Sequence, residues 1–138
     1  RVEPVKRFIE IAAAESHVEL TTLLIPGLND DPAEIEEMVK WIADISTGIP
    51  LHFSRFFPHY RMDDIPATPE GSLKKAHQIG RRYLDYVYVG NIFIDGTENT
   101  YCPKCGSVGI QRTGYSARSS LDGGSCPECA EQIKGVWD

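Results

Sequence analysis

"HVELTTLLIPGLNDDPAEIEEMVKWIADIS", residues 17–46, contains the change of hydrophobic period that decides the fold. From His17 to Pro26 the chain is rich in β-branched and aliphatic residues, and Pro26-Gly27 ends the run with turn chemistry. Beyond Asp31 the period lengthens, so that Ile35, Met38, Val39, Ile42 and Ile45 fall on one helical face. Asp31 stands as N-cap, Pro32 at the first helical position and Glu34 three residues past the cap. A strand therefore passes directly into an amphipathic helix, the first half of a βαβ unit.

The same alternation extends in both directions. Upstream, Pro4 suits the first turn of a helix whose face is Val5, Phe8, Ile9, Ala12 and Ala13. Downstream, Thr47-Gly48 stops the central helix and "IPLHFSRFFP" (49–58) reads as a second strand. Thr68-Pro69 repeats the cap-plus-proline device, Leu73, Ala76, His77 and Gly80 continue at helical spacing, and "YVYVG" (86–90) is a third strand. Strand starts fall roughly 30 to 35 residues apart, the length of a βαβ unit with a right-handed crossover.

Such units form a parallel sheet, which needs cover on both faces or closure into a barrel. Three strands supply neither a closed barrel nor a wide sheet, so the expectation is an incomplete α/β wall. A small sheet with three helices on one side and the tail of the chain on the other is the open alternative. Arg1 is not an initiator methionine, which suggests a piece of something longer.

The net charge of -6, with no basic run, argues against a nucleic-acid surface. No stretch approaches the roughly 20 apolar residues of a membrane span and no leader pattern opens the chain, so no membrane partner and a cytoplasmic location are expected. Dinucleotide, P-loop, serine-hydrolase and zincin motifs do not occur.

Residues 98–138 are a different kind of object. Cys102, Cys105, Cys126 and Cys129 give C-x2-C-x20-C-x2-C, and the chain has no other cysteine. Each short pair sets two thiolates on one side of a tight turn, and two such turns make the tetrahedral sulfur cage that zinc prefers. Pro103 and Pro127 stiffen the turns and Gly106 helps the first fold back. A small zinc ribbon follows, with metal binding supplying much of its folding free energy. Iron fits the same cage, disulfides belong to an oxidising compartment, and a catalytic zinc would need an open position that four cysteines do not leave.

In α/β sheets chemistry gathers beyond the carboxyl ends of the strands, here residues 25–30, 54–64 and 89–93. Pro26-Gly27 lets a ligand approach the backbone, while Asn29 and Asp30 could cap the next helix or serve only its turn. In the second strand Leu51, Phe53, Arg55 and Phe57 share one face, and His52, Ser54 and Phe56 the other. Polar residues in mid-strand suggest that one face looks into a polar interior, although His52 and Ser54 also suit buried hydrogen-bonding roles. His59, Tyr60, Arg61, Asp63 and Asp64 then crowd a loop without apolar periodicity.

Together "TTLLIPGLNDDPAEIEEMVKWI", "IPLHFSRFFPHYRMDDIPATP", "YVYVGN" and "NTYCPKCG" resemble the carboxyl-terminal part of the radical S-adenosylmethionine enzyme of the AmmeMemoRadiSam system. That family is related to pyruvate formate-lyase activating enzyme. The resemblance runs from Val18 to the second cysteine pair. It implies that residues 1–97 are the last three strands of a partial (β/α)6 barrel and residues 98–138 an added zinc ribbon.

By the same resemblance the full-length parent would bind a 4Fe-4S cluster through an amino-terminal CxxxCxxC loop. It would cleave S-adenosylmethionine to a 5'-deoxyadenosyl radical that abstracts hydrogen from its substrate. That loop is absent here, which implies that this chain alone does not perform the chemistry. Ile25, Pro26 and Gly27 would lie near the cofactor's adenine, and His52, Ser54 and Arg55 would face or rim the cavity. The competing expectation is a zinc-ribbon module that binds a protein substrate or partner. A third is self-association through open strand edges.

Overall fold

In the computed structural model, which describes residues 2–137, three helices alternate with three strands, and three short strands and the turn of the second cysteine pair follow. The order is α1 (Glu3–Glu15), β1 (Leu20–Leu24), α2 (Pro32–Ile45), β2 (Leu51–Arg55), α3 (Glu70–Gly80) and β3 (Val87–Gly90). After these come β4 (Thr100–Tyr101), β5 (Val108–Thr113) and β6 (Ser116–Ser119). β1, β2 and β3 pair side by side and all parallel, as the βαβ spacing requires. β4, β5 and β6 form a separate antiparallel sheet.

Register decides which residues reach the core. Leu20, Leu51 and Val87 form one row and Thr22, Phe53 and Val89 another. The side chains of these rows turn toward α2 and α3, where Leu51 and Phe53 are fully buried against Val39, Ile42, Leu73, Ala76 and Ile79. Burying each such side chain contributes about 1.5–3 kcal/mol. Gly80 ends α3 hard against β3, where a Cβ would stand 2.9 Å from Val87 Cγ1. α2 begins as its sequence dictates: Asp31 Oδ1 accepts hydrogen bonds from the Ala33 and Glu34 amides at 2.9 and 3.2 Å.

Two local expectations are corrected. Thr68 does not cap α3, whose N-cap is Pro69 without a side-chain bond. Instead the buried Thr68 hydroxyl accepts from the Phe56 amide at 2.8 Å and donates to the Leu24 carbonyl at 2.6 Å. Leu24 pairs with Arg55, so the next rung of the ladder would join Leu24 to the Phe56 amide. Thr68 fills that rung where β1 and β2 part. The second correction concerns α1, in which Val5 and Phe8 are exposed while Ala13 packs on the core. Val5, Phe8 and Ile11, spaced by three, form an exposed stripe.

The two margins of the parallel sheet differ. Beyond β3 the passage into the ribbon covers the edge, with the Val89 amide donating to the Thr97 carbonyl at 3.2 Å. Beyond β1 no strand lies among the described residues. On the face away from the helices, the ribbon rests on the β3 side. Tyr86 is buried with Cys102, Cys126 and Ile133, and its phenol oxygen accepts from the Lys134 amide at 3.1 Å. Burial pushes the Tyr86 phenol above its ordinary range. Across β1 and β2 that face is only partly covered, leaving Thr21 and Leu23 exposed and His52 and Ser54 half-buried.

Candidate metal centre

The two cysteine turns repeat one backbone pattern. In the first, the Cys102 amide donates to the Ser107 carbonyl at 2.8 Å and the Gly106 amide to the Cys102 carbonyl at 2.9 Å. In the second, the Cys126 amide donates to Glu131 at 2.8 Å and the Ala130 amide to Cys126 at 2.9 Å. Such a knuckle needs a left-handed residue right after its second cysteine. Gly106 fills this place at φ 75°, while Ala130 fills it at φ 59°. The leading cysteines, Cys102 and Cys126, are buried, and Cys105 is exposed.

All four sulfurs lie within 4.8 Å of one another. Two pairs cross between the knuckles at 3.6 Å, Cys102 to Cys129 and Cys105 to Cys126. A tetrahedron with Zn–S bonds of about 2.3 Å has edges of about 3.8 Å, so the arrangement matches a tetrathiolate cation site. All four thiols are free.

The electrostatics of the four thiols are uneven. The Ser107 hydroxyl, bonded to Cys126, draws that thiol down to about 6. The Glu131 amide favours the Cys129 thiolate, but burial and the three neighbouring sulfurs outweigh it and push the thiol up to about 12. Four anions cannot crowd into this space without a cation. A divalent ion reverses that balance and deprotonates every ligand. The residues present thus fit a structural zinc, and iron satisfies the same donor set. Ser107 was not singled out in the sequence; its place two residues past Cys105, inside the knuckle, is the signal that marks it.

The other sequence-flagged residues fall into two groups. Ile25, Pro26 and Gly27 form the turn that follows β1, with Gly27 at φ 73°. Asn29 and Asp30 are spent on this turn and do not cap α2, since Asn29 Oδ1 accepts from the Ile25 amide and Asp30 Oδ1 from Gly27. Arg55 lies at the same carboxyl end, its Nε donating to the Thr68 carbonyl at 3.0 Å and its guanidinium 4.9 Å from the Phe57 ring centroid. His52 and Ser54 belong to the opposite face, away from Arg55.

His52 stacks on Tyr88 at 4.9 Å between ring centroids, and its Nε2 is 3.0 Å from Glu19 Oε2. His17 bonds to the other oxygen of Glu19, and these imidazoles hold its carboxyl below the usual range. These groups line a cleft of about 490 Å³ between the sheet and the ribbon, closed on the ribbon side by Thr100, Arg112 and Trp137. Among the described residues no helix is long and apolar enough to cross a membrane.

In an alignment of 121 positions that covers 84% of its length, the chain is 36% identical to uncharacterized protein MJ0808 of Methanocaldococcus jannaschii, and the two are homologues. The match takes in 36% of that protein, so the chain spans about a third of the length of its curated relative. No family model and no solved structure matches.

Proposed function

We propose that the chain is a binding module, a small α/β sheet carrying a ribbon folded on a structural zinc, and that the ribbon contacts protein instead of performing chemistry at the metal. The four-sulfur cluster carries this reading, because four thiolates complete the coordination sphere and leave no position for water or substrate. The ribbon's balanced charges, Lys104, Arg112, Arg118 and Lys134 against Glu98, Asp122, Glu128, Glu131 and Asp138, favour protein over a phosphate backbone. β6 is an edge strand whose side chains are all exposed, the kind of edge to which an extended peptide adds. The test is cobalt substitution. A cobalt-loaded chain should show a tetrathiolate spectrum that excess azide leaves unchanged, and an azide-dependent spectrum would reveal an open coordination position and defeat the reading.

A second reading rests on the uncovered margin of the sheet. Among the described residues no strand lies on the outer edge of β1, the β1 and β2 side of one face is only partly covered, and the relative is far longer than this chain. These features support residues 1–97 as the carboxyl-terminal half of a partial (β/α)6 barrel in a radical S-adenosylmethionine enzyme akin to pyruvate formate-lyase activating enzyme. In such a parent a 4Fe-4S cluster held by other residues would supply the electron that cleaves S-adenosylmethionine. Ile25, Pro26, Gly27 and Arg55 at the strand ends, with His52 and Ser54 on the adjoining face, would bind that cofactor. A longer protein containing this chain, loaded with its cluster and reduced without oxygen, should release 5'-deoxyadenosine. None formed by a fully loaded sample would end this reading.

A further inference from the structure

We propose that Ser107 is a positioning residue of the metal centre, its hydroxyl joining the two knuckles by bonding one sulfur of each and so tightening the site's hold on zinc. The inference rests on the structural-zinc reading and adds to it a residue that is not itself a ligand.

Ser107 Oγ lies 3.1 Å from Cys105 Sγ and 3.2 Å from Cys126 Sγ. Those two sulfurs come from different knuckles and stand 3.6 Å apart. When both are thiolates they can only accept, so the single hydroxyl proton is shared between them. That proton sits where repulsion between the two sulfurs is concentrated. A tetrathiolate around a divalent cation keeps a net charge of about -2, and hydrogen bonds from the surrounding shell offset it and hold the ligands in place.

The hydroxyl is fixed by more than its sulfur partners. The Ser107 carbonyl accepts from the Cys102 amide at 2.8 Å, which locks the residue into the first knuckle and aims its short side chain at the cluster. Among the described residues its hydroxyl bonds only to these two sulfurs. The second knuckle has no counterpart. Glu131 accepts from Cys126 as Ser107 does from Cys102, but the Glu131 carboxylate turns to Lys104 Nζ at 3.5 Å. One residue thus supplies the cross-knuckle hydroxyl.

The experiment compares the whole chain with Ser107→Ala and Ser107→Thr, using zinc affinity from chelator competition and the spectrum of the cobalt(II) form. Loss of a supporting group of this kind costs about 10- to 100-fold in metal affinity. Ser107→Ala should lose that much while still binding one zinc, and Ser107→Thr, which keeps the hydroxyl, should stay close to the parent. The sulfur-to-cobalt charge-transfer bands of Ser107→Ala should move to longer wavelength, because sulfurs without a hydrogen bond give up electron density more easily. Mere local destabilisation would not move those bands. Unchanged affinity and unchanged bands in Ser107→Ala would overturn the role of Ser107 alone. A parent chain that takes up no zinc would overturn the structural-zinc reading and this inference together.

Discussion

Between β1 and β3, order comes from side chains: Leu24, Leu51, Phe53 and Val87 are sealed under Ile35, Val39, Ile42, Leu73 and Ile79. Between β4 and β6 there is almost nothing comparable. All four side chains of β6 are exposed, and the buried cluster beneath the ribbon is Cys102, Cys126 and Ile133 together with Tyr86, contributed by the sheet. The sheet can bury enough apolar surface to hold itself together, whereas the ribbon is below the size at which a core suffices and depends on four sulfurs. Removing the sulfurs' cation should therefore act on one region, and removing a core side chain on the other.

The largest effect should follow metal removal. Structural zinc contributes an apparent free energy of about 10–16 kcal/mol in small zinc-folded peptides, far beyond any single side chain here. Stripping zinc with a chelator, or replacing Cys126 by Ser, should abolish amide-exchange protection in β5 and β6 while β1, β2 and β3 keep theirs. Loss of protection throughout would break the comparison. Zinc uptake at pH 7 should release fewer than four protons, because Cys126, drawn to about 6, has largely lost its proton already, while Cys129, held near 12, must give one up. The sign follows: acidification through pH 6 restores a proton to Cys126 and weakens binding. Calorimetry in buffers of different ionisation enthalpy counts the protons.

Next comes the reverse perturbation. Phe53→Ala empties a fully buried site on β2 beneath α2 and α3 and should cost about 3–5 kcal/mol. Urea unfolding followed by tryptophan fluorescence should show the loss through Trp41, which packs against that core. One zinc per chain should remain bound, as metal analysis would show. If zinc were lost as well, the ribbon would owe its fold to the sheet more than to the ion.

These contrasts also explain what could be read in advance. The four cysteines were legible because coordination fixes spacing along the chain, and α2 was legible because Asp31, Pro32 and its apolar face are all local signals. Thr68 was misread for the same reason. Thr-Pro before a helix looks like a cap, but the decisive partners, Leu24 and Phe56, are distant in sequence or set by where two strands part. The outward stripe of α1 was also hidden, since Val5 and Phe8 share a helical face with residues that do turn inward and periodicity alone does not say which side meets the core. His52 and Arg55 were correctly assigned to opposite faces by strand alternation, but the stack of His52 on Tyr88 needed the register between β2 and β3.

The Thr68 rung offers a smaller test inside the sheet. Thr68→Val keeps the shape and removes the hydroxyl, leaving the Leu24 carbonyl and Phe56 amide without their bridge. The cost should be about 1–3 kcal/mol, the penalty for buried polar groups that lose a partner. Thr68→Ser, which keeps the oxygen, should recover most of it. Equal urea midpoints for Thr68→Val and the parent would show that the rung does not hold the strands.

The smallest effect should separate the two knuckles from each other. Gly106 and Ala130 hold the same place at φ 75° and 59°, but only Ala130 carries a Cβ there. The left-handed region costs a residue with a Cβ about 1–2 kcal/mol, while replacing it with glycine forfeits about 0.4–1 kcal/mol through the freer unfolded chain. The strain is the larger quantity, so Ala130→Gly should stabilise the zinc-bound ribbon by about 0.5–1 kcal/mol, read as a roughly two- to five-fold gain in zinc affinity. Gly106→Ala should shift affinity the other way, because there the added Cβ meets no neighbouring atom within 4 Å and backbone strain alone remains. If both substitutions weakened binding, unfolded-state entropy would outweigh strain in the second knuckle, and the two turns would differ in more than their left-handed residue.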